Sequence, residues 1–262
     1  MREEQGLTLQ EVADRLDWSR ATVSRLETAQ TRPKPDDTAE LLALYGVPSP
    51  DRDAYLNLAQ EANKRGWWTA YSDVFVGSYA ALEDGASCVR TWDPQLIHGL
   101  LQTEPYARAV ITAGRLLSSR DQVERRIDAR KIRQQALDLP QGPEVHMVVD
   151  EGVLLRHIGG VAVMRGQFEH LLEIGERPGI TIQVLPFDRQ EHAGLDGRFT
   201  ILSYPDPADP DVAYVEGTMG DVYLESSEET SKHTDRFDRI VGAALSHEES
   251  ARLIRSAARS SE

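Results

Sequence analysis

GLTLQEVADRLDWSRATVSRLE, Gly6 to Glu27, carries two short helical patterns back to back. Thr8 opens the first, with Glu11 at capping-box spacing. Leu9, Val12, Ala13 and Leu16 fall on one face of it. Asp17-Trp18 breaks the periodicity, and Ser19 supplies a second N-cap. From Arg20 to Thr28 the spacing turns Val23 and Leu26 inward and Arg20, Ala21, Ser24 and Arg25 outward. Two short helices joined by a few residues, with small Ala13 where they cross, predict a helix-turn-helix whose recognition helix spans residues 19–28. The chemistry suits that role. Hydroxyls at the helix start, here Ser19 and Thr22, donate to phosphate oxygens, and the helix dipole favours the same anion. Long donors, here Arg20 and Arg25, reach the O6 and N7 of guanine. Arg15, Arg20, Arg25, Arg32 and Lys34 face only Asp17 and Glu27, a local basic island. The expected DNA contacts are Thr8, Ser19, Arg20, Ala21, Thr22, Ser24 and Arg25, with Arg32 and Lys34 on phosphate. On spacing alone, an amphipathic helical hairpin with a solvated basic face is the alternative.

Two more helical segments follow. Pro33 and Pro35 start one whose stripe is Leu41, Leu42 and Tyr45, ending at Gly46. Pro50 opens another with Tyr55, Leu58 and Ala62 on one side. The string from Gly6 to Glu27 closely resembles the Xre-type helix-turn-helix regulators, which are lambda-repressor-like in fold. The resemblance implies that Glu27 pairs with Arg2, tying the recognition helix to the first helix. It also shows departures. Asp17 and Ala29 stand where the family often has glycine, in conformations that suit glycine better. The first helix is shortened to the stub Arg2-Glu3-Glu4-Gln5, about two turns less than family members carry. Either the start codon lies upstream or the module is a weakened one. Residues 1–65 alone are accordingly expected to be marginal, leaning on the following domain through Trp67 and Trp68.

The 262 residues suffice for two domains, and 40% hydrophobic against 27% charged residues excludes disorder as the main state. The net charge of −14 is unevenly spread. Residues 1–65 hold 9 Lys/Arg against 12 Asp/Glu, and residues 66–262 hold 20 against 31. No basic residue lies between Arg198 and Lys232, so the acidity belongs to the C-terminal part. Asp206 to Glu229 is a solvated acidic surface or a dock for a basic partner. Apolar stretches such as Gly160 to Met164 are far too short to span a bilayer, and the N-terminus has no apolar signal core. The lone Cys88 excludes an internal disulfide and reads as a small buried residue; the seven histidines show no metal-ligand spacing. A cytoplasmic protein is expected, nucleoid-associated when bound to DNA.

The composition changes near Asn63–Gly66, which sets the expected division into a helix-turn-helix domain, 1–65, and a mixed α/β domain, 66–262. Tyr79 to Arg90 reads as a strand or short helix, and Thr103-Glu104-Pro105 as a helix start. Arg120 to Leu137 is helical, with a narrow stripe of Val123, Ile127, Ile132 and Ala136. Its other face is basic, through Arg120, Arg125, Arg126, Arg130, Lys131 and Arg133. That face is either a second DNA-facing surface or, as the acids Asp121, Glu124 and Asp128 favour, a solvated face with internal ion pairs. Val145 to Val149 is a strand, Glu151 to His157 a short helix and Val163 to Arg177 a longer one. Ile180 to Leu185 is a strand bounded by Pro178-Gly179 and Pro186. Strands follow at Phe199–Tyr204, Val212–Val215 and Val222–Leu224, then helices from Glu228 to Arg259. The aromatics Trp67, Trp68, Tyr71, Phe75 and Tyr79 read as a packing seam between domains, with a ligand pocket as the alternative.

Several strings in this region are similar to the C-terminal domain of antitoxin-like, WhiJ-like actinobacterial regulators. They are Gly66-Trp67-Trp68, Gly99 to Thr103 with Tyr106-Ala107-Arg108, Asp150-Glu151 with Leu155, Val184 to Phe187, Gly197 to Phe199 and Ala243 to Ser246. The resemblance implies a transcription factor encoded beside a small partner protein, and it identifies no ligand.

Catalysis is not expected. Asp150 and Glu151, adjacent on a strand end, point apart and suit capping of residues 152–157. Ser203, Ser226 and Ser227 lack a nucleophile-elbow context. Gly159-Gly160 and Gly194 to Gly197 are turns, since no Gly-Lys-Ser/Thr follows. The strand–helix–strand unit around Gly179–Leu185 resembles phospholipase D-like folds, whose chemistry needs His, then Lys two residues on, then Asp. After His192 the chain reads Ala-Gly-Leu-Asp, without the lysine. The expectation is therefore a homodimeric, sequence-specific regulator on double-stranded DNA with a nearly twofold operator. It has no metal, cofactor or membrane association, and its C-terminal domain serves dimerisation and partner or ligand response. The alternative is an antitoxin-like protein-binding module with weak or no DNA binding; a hydrolase is disfavoured.

Overall fold

The computed structural model describes residues 1–260 except 4, 28–30, 32, 64–65, 72, 75–77, 115–118 and 218–219; for 50, 58, 61–63 and 260 it describes the backbone alone. The chain divides into two compact units, Met1–Gly66 and Trp67–Glu262.

The first unit is all helical: α1 (Leu9–Leu16), α2 (Arg20–Glu27), α3 (Pro35–Leu44) and α4 (Ser49–Asn63). Ahead of α1 the amides of Gln5, Gly6 and Leu7 donate back to the carbonyls of Met1, Arg2 and Glu3 in turns. Val12, Ala13, Val23 and Tyr45 form the buried centre, with Leu7, Leu9, Leu16, Trp18, Leu41, Leu44 and Val47 packed round it. Ala13 is fully buried, as a small residue between two crossing helices must be. Trp18, beside Asp17 in the turn, is half-buried against this centre. On α4 the expected stripe is corrected. Tyr55 is exposed and Ala59 is buried, because a tyrosine can sit at the edge of an apolar face with its hydroxyl in water. The side chains of Leu58 and Ala62 lie outside those described.

One polar knot ties this unit together. Arg2 Nε donates to both carboxylate oxygens of Glu27 at 2.9 Å, and Arg2 Nη1 donates to the Leu7 carbonyl at 2.7 Å. Tyr45 donates its hydroxyl to the same Glu27 at 2.8 Å. Burial and the Glu27 carboxylate push the Tyr45 hydroxyl pKa well up, so it is a donor throughout the physiological range. Tyr45→Phe, which removes that one bond, is expected to cost about 0.5–1.5 kcal/mol. Urea unfolding of the full chain measures it.

The second unit is built on a six-stranded mixed sheet. Its strands are β1 (Cys88–Asp93), β2 (Glu144–Asp150), β3 (Ile180–Leu185), β4 (Phe199–Ser203), β5 (Val212–Val215) and β6 (Val222–Leu224), in spatial order β3-β2-β1-β4-β5-β6. The first three are mutually parallel, and β4, β5 and β6 add antiparallel. Helices α5 (Tyr79–Asp84), α6 (Glu104–Gly114), α7 (Arg120–Gln134), α8 (Gly152–Leu155), α9 (Val161–Ile174), α10 (Ser227–Ala243) and α11 (His247–Ser260) surround it. Parallel strands are normally covered on both faces, and these are. Val145, Met147, Val149, Ile182 and Val184 pack with Phe168 and Leu171 of α9 and Ile254 of α11. On the opposite face Trp92, Val148, Phe199 and Ile201 pack with Phe237 and Ile240 of α10. This is the all-α then α/β order expected from the sequence.

Strands β3, β5 and β6 begin and end where the turn residues and apolar runs put them. The segment from Tyr79 resolves into both readings, helix α5 and then strand β1, which runs on to Asp93. Strand β1 is central to the sheet yet reads CVRTWD, so polar side chains must be satisfied inside it. Arg90 donates to Ser203 at 3.2 Å and Asp211 at 3.1 Å, and Thr91 donates to Asp93 at 2.7 Å. Trp92 is fully buried and donates Nε1–H to the Gly194 carbonyl at 2.9 Å. A methyl group on Gly194 would fall 2.5 Å from the indole, so the loop can approach Trp92 only because residue 194 is glycine.

The aromatic cluster divides in two, with Phe75 outside the described residues. Trp67 meets Trp68 and Tyr71 edge-on, at ring separations of 6.1 and 6.2 Å. Tyr79 instead meets Tyr214, the rings 4.3 Å apart and tilted by 41°.

Candidate nucleic-acid interface

The turn between α1 and α2 is fixed by local chemistry. Thr8 Oγ1 accepts the Glu11 amide at 3.2 Å and donates to the Glu11 carboxylate at 2.8 Å, while the Thr8 amide donates to that carboxylate at 2.7 Å. The capping box is complete, so the Thr8 hydroxyl proton is committed inside the protein. Asp17 ends α1 in the left-handed conformation, φ 55° and ψ 38°, with no glycine to ease it. Aspartate tolerates that region better than most residues. Ala29, the other non-glycine departure, lies outside the described residues.

Ser19 caps α2: its hydroxyl accepts the Thr22 amide at 3.0 Å and lies 2.8 Å from the Thr22 hydroxyl. Two hydroxyls sharing one hydrogen bond leave one proton free to point outward at the helix start. Val23 is fully buried beneath, and Arg20, Ala21 and Arg25 are exposed above. Thr22 and Ser24 are half-buried on the flanks. The exposed Arg25 side chain folds back, Nε donating to the Ala21 carbonyl at 3.2 Å. Arg20 makes no ion pair among the described residues. Lys34 is exposed just before α3, where its carbonyl accepts the Thr38 amide and hydroxyl. Arg32 lies outside the described residues. The structure thus gathers Ser19, Arg20, Ala21, Thr22, Ser24 and Arg25 on one short helix, and it places Thr8 and Lys34 at the starts of two others.

Residues 1–55 match a family described as a helix-turn-helix domain. Residues 76–256 match a second family, described as a domain of unknown function, DUF5753. The chain belongs to the DUF5753 family. No curated protein matches it, and no solved structure does. The helix-turn-helix domain marks a DNA-binding regulator.

In the DUF5753 domain the basic face of α7 is corrected. Its ion pairs reach other segments rather than its own acids. Arg125 pairs with Asp73, Lys131 with Glu104 and Arg133 with Glu83. The acid Glu124 is taken by Arg108 of α6. Arg133 and Arg130 are turned into the domain, because the apolar stripe of α7 is too narrow to cover the side that meets the segment 98–102. Asp150 accepts the Gly152 amide at 2.8 Å, and Glu151 accepts the Phe187 amide at 2.8 Å, so the two carboxylates do point apart. The helix they precede is shorter than expected, Gly152–Leu155.

Sequence reasoning missed a buried polar cluster here. Arg133 clasps Glu83 with two hydrogen bonds of 2.6 and 2.7 Å. Tyr79 donates to Glu83 at 2.9 Å and lies 3.2 Å from His98 Nε2, which therefore carries the proton. Burial lowers the His98 pKa, so the ring is neutral. Arg198 reaches Asp93 at the end of β1 at 3.0 Å. A lone Glu83 after Ala80-Ala81-Leu82 was the one available signal.

No described helix is long and apolar enough to cross a membrane. Among the described residues no group of three or more His, Cys, Asp or Glu is placed to hold a metal ion.

Proposed function

We propose that the chain is a sequence-specific transcriptional regulator of the Xre type, WhiJ-like in its C-terminal part. Helix α2 enters the major groove. Arg20 and Arg25 read base edges, and Ser19, Thr22 and the start of α2 hold phosphate. Ala21 and Ser24 allow close approach to the bases, Thr8 contributes the start of α1 rather than its hydroxyl, and Arg32 and Lys34 contact phosphate. The chain acts as a homodimer on a nearly twofold operator, in the cytoplasm and on the nucleoid. The DUF5753 domain serves dimerisation and the response to a ligand or to a small protein from an adjacent gene; it performs no catalysis. The observation that carries this reading is the two-sided character of α2, with Val23 fully buried and Arg20, Ala21 and Arg25 exposed above a capped start.

The salt dependence of binding tests the phosphate contacts. Each neutralised phosphate contributes about −0.9 to the slope of log affinity against log salt. Lys34→Ala is expected to weaken operator and scrambled duplexes alike and to reduce the slope by about 1. An unchanged slope removes Lys34 from the interface.

A further inference from the structure

The order β3-β2-β1-β4-β5-β6 reverses at β1. The connections from β1 to β2 and from β2 to β3 step to one side of it, and the connection from β3 to β4 crosses to the other. In open α/β sheets, ligands bind beyond the carboxyl ends of the parallel strands where connections diverge; β4 runs antiparallel to β1, so here only the carboxyl end of β1 lies at the reversal. At the carboxyl end of β1 stands the cluster just described, formed by Asp93, Arg198, Glu83, Arg133 and His98 with Arg130.

Its three arginines face three carboxylates, Glu83, Asp93 and Glu216 on the rim, but the carboxylates are shared unevenly. Arg133 is matched by Glu83, and Arg198 by Asp93 and, on the rim, by half-exposed Glu216. Arg130 has no carboxylate among the described residues. Its Nη1 donates to the Gln102 side-chain oxygen, and its Nε is shut off from solvent with no acceptor. Gln102 is itself buried and already donates to the Ile97 carbonyl at 2.6 Å, so it is held in place rather than free to follow Arg130. Arg130 and Arg133 also converge. A methyl group on Gly99 would lie 3.7 Å from Arg130 Nε and 3.5 Å from Arg133 Nη2. Burial and the neighbouring Arg133 push the Arg130 pKa down to about 10, which leaves it charged at neutral pH. A largely enclosed guanidinium beside two others, with no carboxylate in direct contact, is an arrangement that an external anion at its accessible edge would complete.

We propose that this cluster is the receptor of the DUF5753 domain for a small oxyanion-bearing ligand, a carboxylate or a phosphate, with Arg130 as its anchor. Residual exposure of Arg130 and Arg198 gives the anion its approach. The inference stands on the C-terminal unit and is independent of the DNA reading.

The test uses the full chain. Inorganic phosphate and succinate are titrated separately by calorimetry and thermal melting, against sodium chloride at equal ionic strength. One of the two is expected to give a saturable isotherm and, at a hundredfold excess over its Kd, to raise the melting midpoint by roughly 5–10 °C. Which one responds distinguishes a phosphate from a carboxylate ligand. Arg130→Met should weaken that binding roughly 10- to 100-fold, with Arg130→Lys in between. If neither anion exceeds chloride in the wild-type chain, the proposal is overturned, and this result needs no variant to fold. A wild-type response retained by Arg130→Met places the anion elsewhere and overturns it equally.

Discussion

Glu83→Ala is expected to destabilise the DUF5753 domain by about 3–5 kcal/mol, the range found when one partner of a buried ion pair is removed. Arg133 and Glu83 have side-chain exposures of only 10% and 4%, so water cannot replace the lost carboxylate. Arg130 also stands close by with no carboxylate in direct contact, and Glu83 is the main charge that offsets it. The variant also strands the Tyr79 hydroxyl, which donates to Glu83. Burial by itself would push the Glu83 carboxyl up, but the Arg133 guanidinium outweighs it and holds the carboxyl below the ordinary 4.5. A depressed folded pKa means the contribution is whole above the ordinary value and is lost as pH falls through the folded one. The wild-type chain should therefore lose stability on acidification below about pH 4.5, more steeply than Glu83→Gln, which has no proton to take up there. Urea midpoints of wild type, Glu83→Ala and Glu83→Gln between pH 3 and 7 decide it. Equal midpoints for all three at pH 7 would show that the pair does not hold this part of the domain.

Arg25→Ala is expected to cost about 1–3 kcal/mol on the operator and to relax preference at one base pair. The side chain is exposed on α2 while Nε is tied to the Ala21 carbonyl, so part of its ordering is already done. A guanidinium placed in advance loses less freedom on pairing with guanine O6 and N7. The measurement is a titration of wild type and Arg25→Ala on a duplex selected from a random-sequence pool, on its single-base variants and on a scrambled duplex. Base readout predicts a large loss on the selected duplex and a small one on the scrambled. Equal losses on both would reduce Arg25 to a phosphate contact.

The recognition helix was legible because its signals are local. Ser19 caps, Val23 is buried, and Arg20 and Arg25 stand outward, all within seven residues, about two helical turns. Strand β3 was legible for the same reason, since Pro178-Gly179 and Pro186 bound a run of β-branched and apolar residues. Strand β1 was less so. Arg90, Thr91 and Asp93 look like surface residues until Ser203, Asp211 and Thr200, more than a hundred residues away, are brought beside them. Helix α7 misled in the opposite direction. Its arginines fit a solvated face by composition, and nothing local shows that Glu83 waits for Arg133. Nor does it show that Arg130 has only an amide. The Arg2–Glu27 pair was implied by family resemblance, and no spacing rule joins residues twenty-five apart.

The central claim is that α2 reads sequence, and the most direct test is the specificity ratio of the wild-type chain. Affinities for the selected duplex and for a scrambled duplex of the same length are measured at one fixed, near-physiological salt concentration. Sequence-specific proteins bind their sites typically 10³–10⁷ times more tightly than other DNA, and a ratio of at least about 10³ is predicted here. A ratio near one, or no binding to either duplex, would contradict the account.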